Sequence, residues 1–187
     1  DYTWWENGHW EFNGDLSSGS GQLDLGVLAV DGVAAEVTYE ASVINGEDVT
    51  VAHLADGVAL RVHHGLEPNG GGSYVNDYTI VLDVLFPEVG SWMSLYNTTL
   101  CGDADVLGCG NDGDWFVNGA AGIGIGGNYA GTIEANTWHR IALTIDSATT
   151  NYTSYIDGVQ VQENPGSISL DGRYSLYTQN HASDHLN

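Results

Sequence analysis

Hard oxygen ligands cluster where the chain has to turn sharply. Asn111, Asp112, Gly113 and Asp114 form an acidic turn ahead of the apolar run Trp115, Phe116, Val117. Asp103 and Asp105 lie just upstream, between Cys101 and Cys109. Carboxylate and amide oxygens grouped in this way suit Ca²⁺, which takes about six to eight oxygen ligands in irregular geometry. Gly113 lets the turn bend tightly enough to aim the carboxylates of Asp112 and Asp114 at one point. Asn111, Asp103, Asp105 and backbone carbonyls are then the candidates for the rest of the shell. The plain alternative is a solvated acidic turn in an acidic protein. Cys101 and Cys109 are expected to close a disulfide ring that pins this loop, stabilising by roughly 2–3 kcal/mol if unstrained. A zinc site would need more Cys or His partners close by.

A second kind of chemistry is stacking. Trp92, Trp115, Tyr129 and Tyr74 sit beside glycine-rich loops, where aromatic rings are most readily exposed. Exposed rings bind sugars by stacking on them, with hydrogen bonds fixing the orientation. The remaining aromatic residues, including Trp4, Trp5, Trp10 and Phe12 near the start, read as core packing, because aromatic side chains dominate cores as well as binding faces.

Several catalytic readings fail on their own terms. Gly122 to Gly127 fits the spacing G-x-G-x-x-G, but no helix follows and no βαβ unit surrounds it. His181 and His185 are four apart, yet Ala182 stands where a zincin needs Glu. No strand carries the paired carboxylates that would flank a glycosidic bond. His63 and His64 are neighbours and so point to opposite faces of a strand, which keeps them from sharing one ion. His139 shares strand parity with Ile141 and Leu143, so it is expected to be packed and hydrogen-bonded, with Arg140 on the other face. No enzymatic activity is expected.

Charge narrows the partners. The 187 residues carry 25 acidic and three basic side chains, a formal net charge of −22. The basic residues are Arg61, Arg140 and Arg173. A nucleic-acid interface needs a basic face, which this chain cannot build. Anionic membranes and sulfated polymers are repelled for the same reason. No stretch approaches the roughly 18 apolar residues of a spanning helix, so no membrane insertion is expected. Asn97 and Asn151 each begin a glycosylation sequon. The chain begins at Asp1 without an apolar leader, as a mature secreted form would. With the cysteine pair, these features fit an extracellular or cell-surface location.

The elements that must position these residues read as strands. Tyr78 to Phe86 alternates cleanly, with Ile80, Leu82, Val84 and Phe86 on one face. His139 to Asp146 does the same with Ile141, Leu143 and Ile145. Val58, Leu60 and Val62 alternate with Ala59, Arg61 and His63, the pattern of a half-buried strand. Asp31-Gly32, Asn45-Gly46 and Asp157-Gly158 are hairpin dipeptides, the last at the tip of a hairpin from Tyr152 to Val161. Further strands are expected at Trp10–Phe12, at Trp92 to Asn97 and within Ser167 to Tyr177. Many short strands with frequent turns and no helical periodicity predict one all-β sandwich domain over residues 1–187.

Taken together, Asn76-Asp77-Tyr78-Thr79, Asn111-Asp112-Gly113-Asp114, Gly122-Ile123-Gly124-Ile125, Asn136-Thr137-Trp138-His139-Arg140 and Tyr155-Ile156-Asp157-Gly158 resemble, in order and spacing, a laminin G-like domain. Such domains belong to the concanavalin A-like lectin/glucanase superfamily, and the resemblance is strongest over residues 58–161. It implies a jelly-roll sandwich of two antiparallel sheets. It also implies a rim calcium site, carried here to Asp112 and Asp114 only, and a non-catalytic module that recognises a glycan or another extracellular polymer. One departure concerns the end of the chain, where the usual closing apolar strand is not apparent. Three sources for it stay open: the early part of the chain, residues beyond those given, or a second chain. The last would make the protein a self-associating structural or adhesive subunit completed by strand exchange. A glycan-active enzyme of the same fold is a further alternative.

Overall fold

The computed structural model describes residues 8–21, 24–29, 36–98, 114–172, 174–176 and 184–186. Among these residues every regular element is a strand, and no helix is long and apolar enough to cross a membrane. One antiparallel sheet of seven strands runs in the order β1 (Gly26–Ala29), β4 (Val58–Val62), β13 (Asp184–Leu186), β6 (Met93–Asn97), β7 (Trp115–Val117), β8 (Ile123–Ile125) and β9 (Asn128–Ala130). A second, of four strands, runs β12 (Val159–Pro165), β11 (Asn151–Ile156), β10 (His139–Asp146) and β5 (Asp77–Val84). β2 (Val37–Ile44) and β3 (Glu47–Leu54) form a separate two-stranded ribbon, tied to the loop before β10 by a hydrogen bond of 3.0 Å from Trp138 Nε1 to Ser42 Oγ.

Side-chain alternation builds the core between the two sheets. Ile141, Leu143 and Ile145 of β10 point inward, joined by Tyr78, Tyr152 and Ile156 from neighbouring strands. They meet Leu95, Tyr96, Trp115, Val117, Ile123 and Ile125 from the larger sheet. This is the two-sheet, all-β architecture expected from the pattern of short strands. The turn chemistry matches too. Asn45-Gly46, Gly126-Gly127 and Asp157-Gly158 all take positive φ at both residues, as two-residue hairpin turns require. Asp31-Gly32 lies outside the described residues.

Three expectations are corrected. Trp10 forms an isolated bridge to Ser18 and Phe12 takes φ of 57°, so no strand forms at Trp10–Phe12. Between Ser167 and Leu176 the chain turns instead of extending, with a single bridge from Leu176 to Val75, because Asp171 and Ser175 spend their hydrogen bonds on Asn76. β4 is not half-buried at its start. Val58, Ala59 and Leu60 are all buried, and since successive side chains point to opposite faces, both faces of β4 are covered there.

The closing strand comes from the chain itself. β13 is antiparallel to both neighbours, pairing Asp184 with Val62 on one side and His185 with Asn97 on the other. The gap that motivated strand exchange with a second chain is therefore filled from within.

Candidate functional site

The outward face of β7 to β9 carries two half-buried aromatic residues, Phe116 and Tyr129. Trp115 and Val117 point into the core, so Phe116 between them points away from it. Phe116 is directly opposite Gly124, and Gly124 is directly opposite Tyr129. The middle position demands glycine, since a Cβ there would meet the Asn128 carbonyl oxygen at 1.8 Å. Trp92, just before β6, is 63% exposed and touches both rings. Its centroid lies 6.0 Å from that of Phe116 and 5.2 Å from that of Tyr129, at interplanar angles of 86° and 80°. Edge-to-face contacts of this kind are each worth about 0.5–1.5 kcal/mol beyond area burial and hold the indole in place. The four strands β6 to β9 contain no charged residue, in a chain of net charge −22. The arrangement is an aromatic patch on strands without charged side chains, able to stack on a flat, partly apolar ligand face.

Two of the four aromatic residues singled out by sequence, Trp92 and Tyr129, come together here. Trp115 does not. It is 0% exposed in the core, opposite Tyr96 and Ile125, so its expected role in ligand contact is corrected. Tyr74 is elsewhere in the chain's hydrogen bonding, its backbone N–H donating to Asp171 Oδ1 at 2.8 Å. Phe116 was not recognised from sequence. Its signal was strand parity, since whichever face takes Trp115 and Val117 leaves Phe116 on the other.

Of the acidic turn, Asp114 is described, while Asp103, Asp105, Asn111 and Asp112 lie outside the described residues, as do Cys101 and Cys109. Asp114 is buried. Its Oδ2 accepts from Thr98 N at 2.8 Å and from Thr98 Oγ1 at 2.6 Å, and its own N–H donates to Tyr96 O. This pins the end of the turn to β6. Among the described residues no three His, Cys, Asp or Glu side chains gather around a point that could hold a metal. Asn97, expected as a glycosylation acceptor, is 3% exposed inside β6, which leaves no room for a glycan. Asn151 is half-buried, with its Nδ2 donating to Glu163 Oε1.

The remaining polar clusters hold the scaffold. His139 is buried as its strand parity predicted. Its Nε2 accepts from Glu134 N at 3.0 Å, so Nδ1 carries the proton and donates to Asp157 Oδ2 at 2.7 Å. Both ring nitrogens are thus engaged. Arg140, on the opposite face, makes a two-pronged pair with Asp83 at 2.7 and 2.6 Å, which holds its guanidinium pKa above the ordinary value. His139→Ala should leave the Asp157 carboxylate and the Glu134 N–H without this partner, costing about 2 kcal/mol. The expected readout is a melting temperature lower by several degrees with ligand binding unchanged, and a change in binding alone would contradict a scaffold role.

Among the described residues Asp15, Asp146, Asp157 and Asp171 are held below the ordinary carboxylate value, and the last two tie distant segments together. Partial burial pushes the Asp157 carboxyl up, but hydrogen bonds from His139 and Arg140 N–H outweigh it. Asp171 is lowered first by the Asn76 side chain; burial opposes this, and the backbone N–H groups of Ser73 and Tyr74 add to the lowering. A depressed folded-state pKa stabilises above the unfolded carboxylate value, near pH 4, and that stabilisation is lost as pH falls through the folded value. Melting temperature should therefore drop below about pH 4. Asp171→Asn should flatten that drop while lowering stability at neutral pH, and an unaltered acid limb would show that this carboxylate contributes nothing to it.

No curated protein matches the sequence. Among solved structures, domain 4 of AbnA, a GH43 extracellular arabinanase from Geobacillus stearothermophilus, determined in complex with arabinotriose, superposes with a TM-score of 0.62. The alignment covers 96% of this chain and 82% of that one at 17% identity, a level at which likeness speaks to fold. A laminin G-type family model described as the concanavalin A-like lectin/glucanases superfamily matches residues 64–183. That span holds most of the larger sheet, all of the four-stranded sheet and the aromatic patch, and by it the chain belongs to the concanavalin A-like lectin/glucanases superfamily.

Proposed function

We propose that this domain is a non-catalytic carbohydrate-binding module of an extracellular protein, and that Trp92, Phe116 and Tyr129 are its contact surface. The observation that carries the reading is the Trp92 indole, 63% exposed yet held by two aromatic neighbours. A large apolar ring is costly to leave in water unless it has a partner. The absence of charge on β6 to β9 favours a neutral glycan, and the strongly negative remainder of the surface repels anionic ones. The arabinotriose complex of the similar arabinanase domain is consistent with a neutral pentose or hexose chain. The non-catalytic part of the reading draws on Asp83 and Asp157, whose carboxylates are committed to Arg140 and His139. Affinity electrophoresis through gels containing soluble neutral polysaccharides tests the proposal. Retardation by at least one of them is expected, and free migration through all of them would count against it.

Calcium belongs to the same reading, as a structural ion at the acidic turn. Its hard oxygen donors fit the ion, and Asp114 anchors one end of the turn through Thr98. A bound cation would offset the mutual repulsion of carboxylates in an acidic chain and raise stability by mass action. Chelation should lower the melting temperature, calcium should restore it better than magnesium, and Asp112→Ala should remove the difference. Identical melting in chelator and in calcium would mean that the turn is only solvated.

A further inference from the structure

We infer that Asn45, at the tip of the β2–β3 ribbon, is a site of spontaneous covalent modification, losing its side-chain amide through a cyclic imide, while the fold protects the other described Asn-Gly pairs. The backbone nitrogen of Gly46 attacks Asn45 Cγ. The new N–Cγ bond closes a ring, the Cγ–Nδ2 bond breaks, and ammonia leaves with the Gly46 amide proton. Water then opens the ring at one of its two carbonyls. Breaking the N–Cγ bond leaves aspartate. Breaking the original peptide C–N bond leaves isoaspartate, with the chain running through the former side chain. Water is the only co-reactant.

Asn7, Asn13, Asn45, Asn69 and Asn118 each precede glycine, whose missing Cβ leaves its nitrogen open to reaction. Asn7 lies outside the described residues. Asn69 is held at both side-chain atoms. Its Oδ1 accepts from Asn76 N at 2.9 Å and Asp77 N at 2.8 Å, and its Nδ2 donates to Asp77 O at 2.7 Å. Asn118 Oδ1 accepts from Ala120 N and Gly122 N, both at 2.9 Å. Turning either Cγ towards the next nitrogen would break these bonds. At Asn13 the amide donates to Glu11 Oε2, and the attacking nitrogen, Gly14 N, already donates to Phe12 O at 2.8 Å. Asn45 is exposed, and among the described residues no hydrogen bond holds its side chain. The ribbon's ladder closes at Ile44 and Glu47, which leaves Gly46 N–H outside it. Nothing lies within 4 Å of where a Cβ on Gly46 would stand, whereas at Gly70 Asp77 Cβ and Asn76 Cβ crowd that point at 3.1 and 3.2 Å. Ring closure requires the turn, with φ of 53° at Asn45 and 88° at Gly46, to relax. The ribbon makes no ladder with either sheet, so its tip opens locally without breaking them. The product adds a carboxylate beside Glu47 and Asp48. As isoaspartate it also lengthens a turn whose two residues set the ribbon's register.

The test follows the four described Asn-Gly pairs in the full chain. Native protein is kept in mildly alkaline buffer at body temperature, sampled over time, digested and mapped by mass spectrometry for conversion of amide to acid. Electron-transfer fragmentation of the same peptides distinguishes isoaspartate from aspartate. Asn45 should convert at least tenfold faster than Asn69 or Asn118, and faster than Asn13, with isoaspartate among its products. A parallel incubation in guanidinium chloride removes the fold, and there the four pairs should convert at similar rates. Native Asn45 converting no faster than Asn69 and Asn118 overturns the inference. A preference for Asn45 that persists unchanged in guanidinium chloride also overturns it, because the selectivity then lies in the neighbouring sequence and not in the fold.

Discussion

Trp92→Ala is expected to weaken binding to a neutral soluble glycan at least tenfold, about 1.4 kcal/mol, and to lower stability by about 1–3 kcal/mol through loss of its two edge contacts. The indole is 63% exposed, so little core contact is lost with it. What disappears is the one strongly exposed aromatic ring among the described residues and the edge contacts that fix it. Phe116→Ala and Tyr129→Ala should have smaller effects on affinity, since these rings are half-buried and act partly by holding Trp92. Trp92→Phe should recover part of the loss, because a smaller ring still stacks. Isothermal titration of the four variants gives the ranking. Equal affinity in native protein and Trp92→Ala would place the contact surface elsewhere.

The largest stability loss is expected at Asn76, which is 0% exposed. Its Nδ2 reaches Gly71 O at 2.7 Å, Tyr74 O at 3.1 Å and Asp171 Oδ1 at 3.1 Å. Its Oδ1 accepts from Asp171 N at 2.8 Å and from Ser175 Oγ at 2.7 Å. One amide thus fastens the loop before β5 to the turn around Asp171. Asn76→Ala strands several of these buried groups at once and should cost about 3 kcal/mol or more. For a chain of this length that corresponds to a melting temperature lower by roughly 6–12 °C. Asn76→Asp keeps the shape but replaces the donor facing the Asp171 carboxylate with a second carboxylate, so it should not rescue. Thermal melts at neutral pH decide the matter, and an Asn76→Asp protein as stable as the native one would refute the assigned hydrogen-bond directions.

How much of this was legible in the sequence depends on how local the cause is. β5, β10 and the β11–β12 hairpin were readable because side-chain alternation and a turn dipeptide act within a few residues. The burial of His139 followed from its parity with Ile141 and Leu143 alone. β13 was not readable, since Asp184, His185 and Leu186 have no apolar pattern, and their place is set by ladders from β4 and β6 on either side. The turns around Asp171 looked like a strand because their partner, Asn76, is 95 residues away. The site was half legible. Glycine-rich surroundings pointed to Trp92 and Tyr129, but the same cue pointed to Trp115, whose ring fills the core. Knowing which face of β7 is inward requires the sheet, and only then does Phe116 replace Trp115.

The central claim is that the aromatic patch of Trp92, Phe116 and Tyr129 on an acidic sandwich binds neutral glycan. Its most direct test is binding of the native protein to a glycan array that pairs neutral polysaccharides with uronic-acid and sulfated ones. Retention by neutral members and none by anionic members is the predicted result. Retention by anionic members only, or by no member at all, would contradict it.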